Sequence, residues 1–348
     1  MFHRISRVRA LAVTTMLASV ALLSACGGGS DNDVAPSGTD ELITNVQVTS
    51  STGAAYPQQI NIYKPKGATR AIVALHGGGG NNVSISYQLG LNTSQTDLAS
   101  STINWTWLEN NHVMLVFPQG QHIAGQDGAT TWSNRVMTSG QDDKAFLIGL
   151  AAKLRADYGI SKITLMGHSM GGAMTNRMYC ESNATFDSYV SLAGPASVDF
   201  STGAAVCDPA GTAAGKAVAP YMGIIGDSDP VMRTFDPITG ASNWGDDLWT
   251  INQVLIYAAG DAWVNDQVIN EQVQQQVRAT AMCGETVAAS PTNSGNVDTW
   301  SNCGGKLVLK RIHGAGHGVD SLAAQMGFSS GTGILDQEES LASTAGLK

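Results

Sequence analysis

Lys162-Ile163-Thr164-Leu165-Met166-Gly167-His168-Ser169-Met170-Gly171-Gly172-Ala173 is the stretch on which the fold turns. Its mainly apolar first half predicts a buried strand, and the small-residue run from Met170 predicts a helix. Between them, Gly167 and Gly171 flank Ser169 at two-residue spacing, the pattern of a nucleophile elbow. A serine thrust out of so sharp a turn crowds the backbone, and glycines relieve the crowding. The helix start also places positive dipole density where an oxyanion would develop. A packing turn with an inert serine is the plainer alternative, and the strand before and helix after weigh against it. His168 reads as a support of the turn rather than a reacting group.

Three further loops follow apolar strands. Leu75-His76-Gly77-Gly78-Gly79-Gly80-Asn81-Asn82 succeeds the run Arg70–Leu75. Its glycines let a backbone N–H approach a substrate oxygen, so the amides of Gly78 and Met170 are the expected oxyanion donors, with Gly79 a rival. His76 reads as structural. A phosphate loop is disfavoured, since no Gly-Lys-Ser/Thr follows. Gly226-Asp227-Ser228-Asp229-Pro230 succeeds the strand Tyr221–Ile225 and offers a carboxylate. Asp229 is the expected acid and Asp227 a brace of the turn. His313-Gly314-Ala315-Gly316-His317-Gly318 succeeds the strand at Lys306–Ile312. His317, deeper in the loop, is the expected base, and His313 reads as a core or surface histidine. Serine, aspartate, histidine is the chain order of α/β-hydrolases.

The rest of the chain agrees with that fold class. Runs at Asn45–Thr49, Gln59–Tyr63, Val113–Phe117 and Tyr189–Leu192 predict more strands, and Asp142–Tyr158 predicts a helix with Phe146, Leu147, Leu150 and Leu154 on one face. Strands alternating with helices predict a mainly parallel central sheet covered on both faces, with ligands bound beyond the strand carboxyl ends.

At the amino end, Arg4, Arg7 and Arg9 precede an apolar run from Ala10 to Leu23. That run is too short for a spanning helix and fits a signal peptide, residues 1–25. Leu23-Ser24-Ala25-Cys26 resembles a bacterial lipobox, which implies cleavage before Cys26 and acylation of its thiol; an ordinary cleavage leaving a free cysteine is the alternative. Residues 26–41 read as a flexible tether, and 42–348 as one catalytic domain. The expected location is outside the cytoplasm, either lipid-anchored in a cell envelope or secreted. Four cysteines remain, Cys180, Cys207, Cys283 and Cys303. An even number in an exported chain reads as two disulfides. Three connectivities exist, and the sequence-local one joins Cys180 to Cys207 and Cys283 to Cys303. Beyond the three arginines of the signal segment, 16 basic residues (19 − 3) stand against 28 acidic ones and do not cluster, so nucleic acid is not an expected partner.

Taken together, LHGGGG (75–80), VFPQG (116–120), DDKAFLIGL (142–150), GISKITLMGHSMGG (159–172), GDSDP (226–230) and RIHGAGHG (311–318) resemble the exported polyhydroxybutyrate-depolymerase-like esterases, a group that includes feruloyl-esterase-like members. The resemblance implies triad roles for Ser169, Asp229 and His317, no cofactor, and disulfide roles for Cys180 and Cys303. Two departures stand out. Gly318-Val319-Asp320 replaces the Trp-Pro pair that often follows the family's histidine, and an insertion at about 232–264 carries Trp244, Trp249 and Trp263. Those tryptophans are candidates for gripping a polymer or an aromatic acyl group, with core packing as the alternative. Nearby aspartates lack calcium-loop spacing. The expected substrate is a polymeric or oligomeric ester, with hydroxyalkanoate polyester first and feruloylated polysaccharide second. Amide or peptide hydrolysis, and an inert binding lipoprotein on a hydrolase scaffold, are the remaining alternatives.

Overall fold

After Arg70, the run 71–75 is apolar without alternation because both of its faces are covered. In the computed structural model Arg70–Leu75 forms β3, with Ala71, Val73 and Leu75 in one core cluster and Ile72 and Ala74 in the other. Val113–Pro118 (β4) behaves likewise, sending Met114 and Val116 to one side and Leu115 and Phe117 to the other. Successive side chains point to opposite faces, so a strand buried on both sides is apolar except where a buried polar group is paired, as Arg70 is with Glu338.

The structure describes residues 38–122, 130–133, 141–194, 218–229 and 274–348. The signal segment, Cys26, Cys207, Trp244, Trp249, Trp263 and the insertion at 232–264 lie outside the described residues, as does most of the tether. The other strands are β1 (Glu41–Val46), β2 (Ile60–Lys64), β5 (Gln121–His122), β6 (Thr130–Thr131), β7 (Lys162–His168), β8 (Ser188–Leu192), β9 (Tyr221–Gly226), β10 (Thr292–Ser294), β11 (Val297–Asn302) and β12 (Leu307–Ile312). Among the described residues, ten strands form one sheet in the order β1-β2-β4-β3-β7-β8-β9-β12-β11-β10, and β5 pairs with β6 separately. The centre from β4 to β12 is parallel, and the pairs β1–β2, β2–β4, β11–β12 and β10–β11 are antiparallel. Helices α1 (Asn82–Gln88), α2 (Trp105–Asn111), α3 (Asp143–Tyr158) and α4 (Met170–Glu181) lie along the connections, and the chain ends in helices Val319–Gln325 and Thr332–Thr344. This is the α/β-hydrolase architecture expected from the motifs.

Local chemistry accounts for the boundaries. The Asp142 side chain accepts the Ala145 amide at the start of α3, and Gly159, at φ 67°, ends it. Its Phe146, Leu147, Leu150 and Leu154 are buried as their spacing required. The first strand differs from expectation. It covers Glu41–Val46 rather than Asn45–Thr49, because Asn45 adopts φ 57° and the register with β2 slips between Ile43 and Val46. The β10–β11 hairpin was not anticipated, although Gly295 at φ 60° followed by Asn296 is a two-residue turn signal.

Two features tie distant parts together. Arg70 donates to Glu338 at 3.0 and 2.7 Å and also pairs with Glu339, while Thr164 donates to Glu338 at 2.6 Å. All four residues are buried, so the last helix is fastened to the middle of the sheet by charge. Cys283 and Cys303 form a disulfide with Cα atoms 5.6 Å apart, the expected local pairing. Cys180 is also disulfide-bonded. No helix among the described residues is long and apolar enough to cross a membrane.

Candidate active site

The elbow at the end of β7 is built by close approach. A Cβ on Gly167 would lie 2.1 Å from the Gly171 carbonyl oxygen, and one on Gly171 would lie 2.5 Å from that of Leu75. No residue other than glycine fits at either position. Ser169 itself sits at φ 54°, ψ −115°, a conformation that costs a non-glycine residue about 1–3 kcal/mol. Its amide donates to Leu192 O at 2.8 Å, which holds the strained turn in place. Ser169 is also the N-cap of α4, but its side chain makes no capping bond. The hydroxyl is thereby left for another partner.

That partner is His317. Its Nε2 lies 2.8 Å from Ser169 Oγ, and its Nδ1 lies 2.7 Å from Asp229 Oδ2. The Asp229 side chain is 3% exposed and that of His317 16%, so the acid is sealed while the base stays partly exposed. The fold thus brings the serine, aspartate and histidine of the three motifs into one hydrogen-bonded chain.

The glycine loop after β3 packs directly on the nucleophile, since a Cβ on Gly77 would stand 3.2 Å from Ser169 Cβ. His76 organises this loop. Burial pushes its imidazole down to about 4, so the ring is neutral at working pH. The Gly120 amide donates to Nε2 at 2.9 Å, which leaves the ring proton on Nδ1 to be donated to Gly77 O at 2.7 Å. Gly77 O also accepts from Gly80 N at 3.1 Å. With the carbonyl held by two donors, the planar trans peptide turns the Gly78 N–H the opposite way. Gly79, the rival oxyanion donor, gives its amide to Thr130 O at 2.8 Å. Among the described residues, neither the Gly78 amide nor the Met170 amide donates to a protein acceptor, unlike that of Gly79.

Some roles were not legible in advance. Trp132 donates its indole N–H to His76 O at 2.8 Å, and Ser133 beside it is tied to buried Asp143, which accepts the Ser133 amide at 2.6 Å. Burial raises the Asp143 carboxyl above its usual range. The short Thr130–Ser133 stretch thus clamps the glycine loop, and no local motif marks it. His313 is neither a core nor a free surface residue. Its Nδ1 lies 2.7 Å from Asp227 Oδ2 and its Nε2 lies 3.0 Å from Asp298 Oδ2. Asp227 also accepts the Gly314 amide at 2.8 Å, so it braces the histidine loop as well as its own turn. Burial raises the Asp227 carboxyl, but the Gly314 amide and His313 outweigh it and hold it below the ordinary range. Cys283, Cys303 and Glu285 cluster, but the two sulfurs are bonded to each other and Glu285 accepts the Cys303 amide at 2.8 Å, so the group does not fit a metal.

No protein-family model and no curated protein matches the chain. Among solved structures it is similar to the acetyl xylan esterase from Aspergillus awamori, at 16% identity over 84% of this chain and 100% of that one, with a TM-score of 0.48. A siderophore hydrolase from Aspergillus nidulans is similar at 13% identity, covering 85% and 93%, with a TM-score of 0.45. The carboxylesterase of Bacillus cereus is similar at 10% identity, covering 83% and 95%, with a TM-score of 0.43.

Proposed function

We propose that this chain is an exported serine ester hydrolase that works through an acyl-enzyme. The observation that carries the reading is the continuous chain from Ser169 Oγ through His317 to buried Asp229. In the first half-reaction, Ser169 Oγ attacks the ester carbonyl carbon while His317 Nε2 takes the hydroxyl proton. Asp229 accepts a hydrogen bond from Nδ1–H, which stays on the ring, and its charge stabilises the imidazolium. The carbonyl electrons move to oxygen, which the Gly78 and Met170 amides receive. Collapse expels the alcohol, protonated by His317, and leaves the acyl group on Ser169. Water repeats the sequence in the same geometry and releases the acid.

Two finer parts of the reading rest on sequence. Arg4, Arg7, Arg9, the apolar run and Cys26 support export and acylation of Cys26. The motif resemblance, together with a catalytic domain held on a tether, supports a substrate too large for uptake. Hydroxyalkanoate polyester is our first choice, with Trp244, Trp249 and Trp263 as candidate contacts. A polyester film, hydroxybutyrate oligomers and methyl ferulate assayed side by side test that choice. Faster turnover of methyl ferulate than of any oligomer would move the substrate to feruloylated polysaccharide. The core proposal is tested by Ser169→Ala, which should abolish ester hydrolysis and fluorophosphonate labelling while leaving the circular dichroism unchanged. Activity within about tenfold of the parent would refute it.

A further inference from the structure

The elbow places a second histidine beside the base. His168 ends β7, its ring stands 5.0 Å from that of His317, and its Nε2 lies 2.8 Å from the His317 carbonyl oxygen. The residues are 149 apart in sequence, so the contact exists only because the sheet brings two loop ends together. Resting on the triad reading above, we propose that His168 is a positioning residue for the base: by donating to the His317 carbonyl it fixes the backbone from which the imidazole reaches Ser169.

The loop around His317 needs such a fixture. Gly314, Gly316 and Gly318 surround it in sequence, and Gly314 adopts φ 71°. Glycine-rich backbone has many accessible conformations, and few of them aim the ring at both Ser169 and Asp229. Two backbone hydrogen bonds flank the base. Gly316 N donates to Ser321 Oγ at 2.8 Å on one side, and His317 O accepts from His168 on the other. Among the described residues, no other group donates to the His317 carbonyl. His168 belongs to the same strand end as the nucleophile, so one rigid element registers both Ser169 and the base.

The electrostatics suit this role and no proton-transfer role. Burial, followed by the neighbouring His317, pushes His168 down to about 4, against the opposing pull of its bond to His317 O and of Asp229 and Asp320. The ring is therefore a neutral donor at working pH. A cation at this distance would oppose the imidazolium that His317 must become during acyl transfer.

The test separates a donor from a space-filler. His168→Gln retains an N–H that reaches the His317 carbonyl, whereas His168→Leu retains bulk without a donor. Both are assayed on a short nitrophenyl ester, with kcat normalised to sites that react with a fluorophosphonate, so unfolded protein is not counted. His168→Leu should lose roughly 10- to 100-fold in kcat with KM within about twofold, since small misplacement of a catalytic group costs rate rather than binding. His168→Gln should recover most of that loss. Equal impairment of the two variants, or a full-rate Leu variant, would overturn the proposal. So would a Leu variant that yields no folded protein beside a Gln variant that does, since the donor would then serve folding. Ser169→Ala, which has no site to label and is assayed per mole of folded protein, keeps the question separate: residual activity there refutes the triad reading, whereas an inert Ser169→Ala beside a full-rate His168→Leu refutes only the positioning role.

Discussion

Acidification should unfold this protein through two histidines that the fold keeps uncharged. His76 and His168 are buried, and each is pushed from an ordinary value of 6.5 down to about 4, chiefly by burial. Above pH 6.5 neither the folded nor the unfolded chain protonates these rings, and the full stability is present. Between 6.5 and about 4 the unfolded chain binds two protons that the folded chain refuses, so stability falls as pH falls. At about 1.4 kcal/mol per pH unit, each ring accounts for roughly 3 kcal/mol across the window. Asp143 acts with the opposite sign, because burial raises its carboxyl and the folded state takes up that proton early. Asp227 and Asp298 are held below their ordinary value of 3.8, so their contribution is lost only at lower pH. Urea unfolding followed by tryptophan fluorescence should show a loss of roughly 5 kcal/mol between pH 7.5 and 4.5. His76→Gln and His168→Gln should each remove about half of that decline, whatever they do to stability at pH 7.5. A parent whose midpoint does not move, or Gln variants with the parent's full decline, would refute the reasoning.

Other consequences can be checked as directly. Asp229→Asn should lower kcat by several orders of magnitude, because it disturbs the partner of His317, whereas Asp227→Asn should cost far less; comparable losses would reassign the acid. Glu338→Ala leaves the buried Arg70 guanidinium facing Glu339 alone and should cost about 3 kcal/mol in urea unfolding, with kcat per labelled site unchanged. Non-reducing peptide mapping should join Cys283 to Cys303 and Cys180 to Cys207, and mass spectrometry should find acyl chains on Cys26; free thiols or an unmodified Cys26 would contradict the exported, lipid-anchored reading.

Much of the site was legible because its chemistry is local. An elbow needs glycines at fixed offsets from a serine, so Gly167 and Gly171 reveal Ser169 without any knowledge of tertiary contacts. The strand ends at Asp229 and His317 were legible because continuous apolar runs announce strands covered on both faces. What escaped depends on contacts across the fold. Trp132 matters because it holds the His76 carbonyl at the start of the glycine loop, and nothing near it in sequence says so. His313 looked idle because its partners, Asp227 and Asp298, lie 86 and 15 residues away. The start of β1 was misplaced for a local reason that composition hides, the positive φ at Asn45.

The Arg70–Glu338 pair has a bearing on cooperativity. The two residues are 268 positions apart, yet the guanidinium sits at the base of a central strand and has no water to fall back on. An intermediate that closed the sheet without docking the Thr332–Thr344 helix would trap a buried cation without its carboxylates. Such a state is costly enough to stay unpopulated. Strand β3 and the last helix are therefore bound to one transition, and neither should persist without the other.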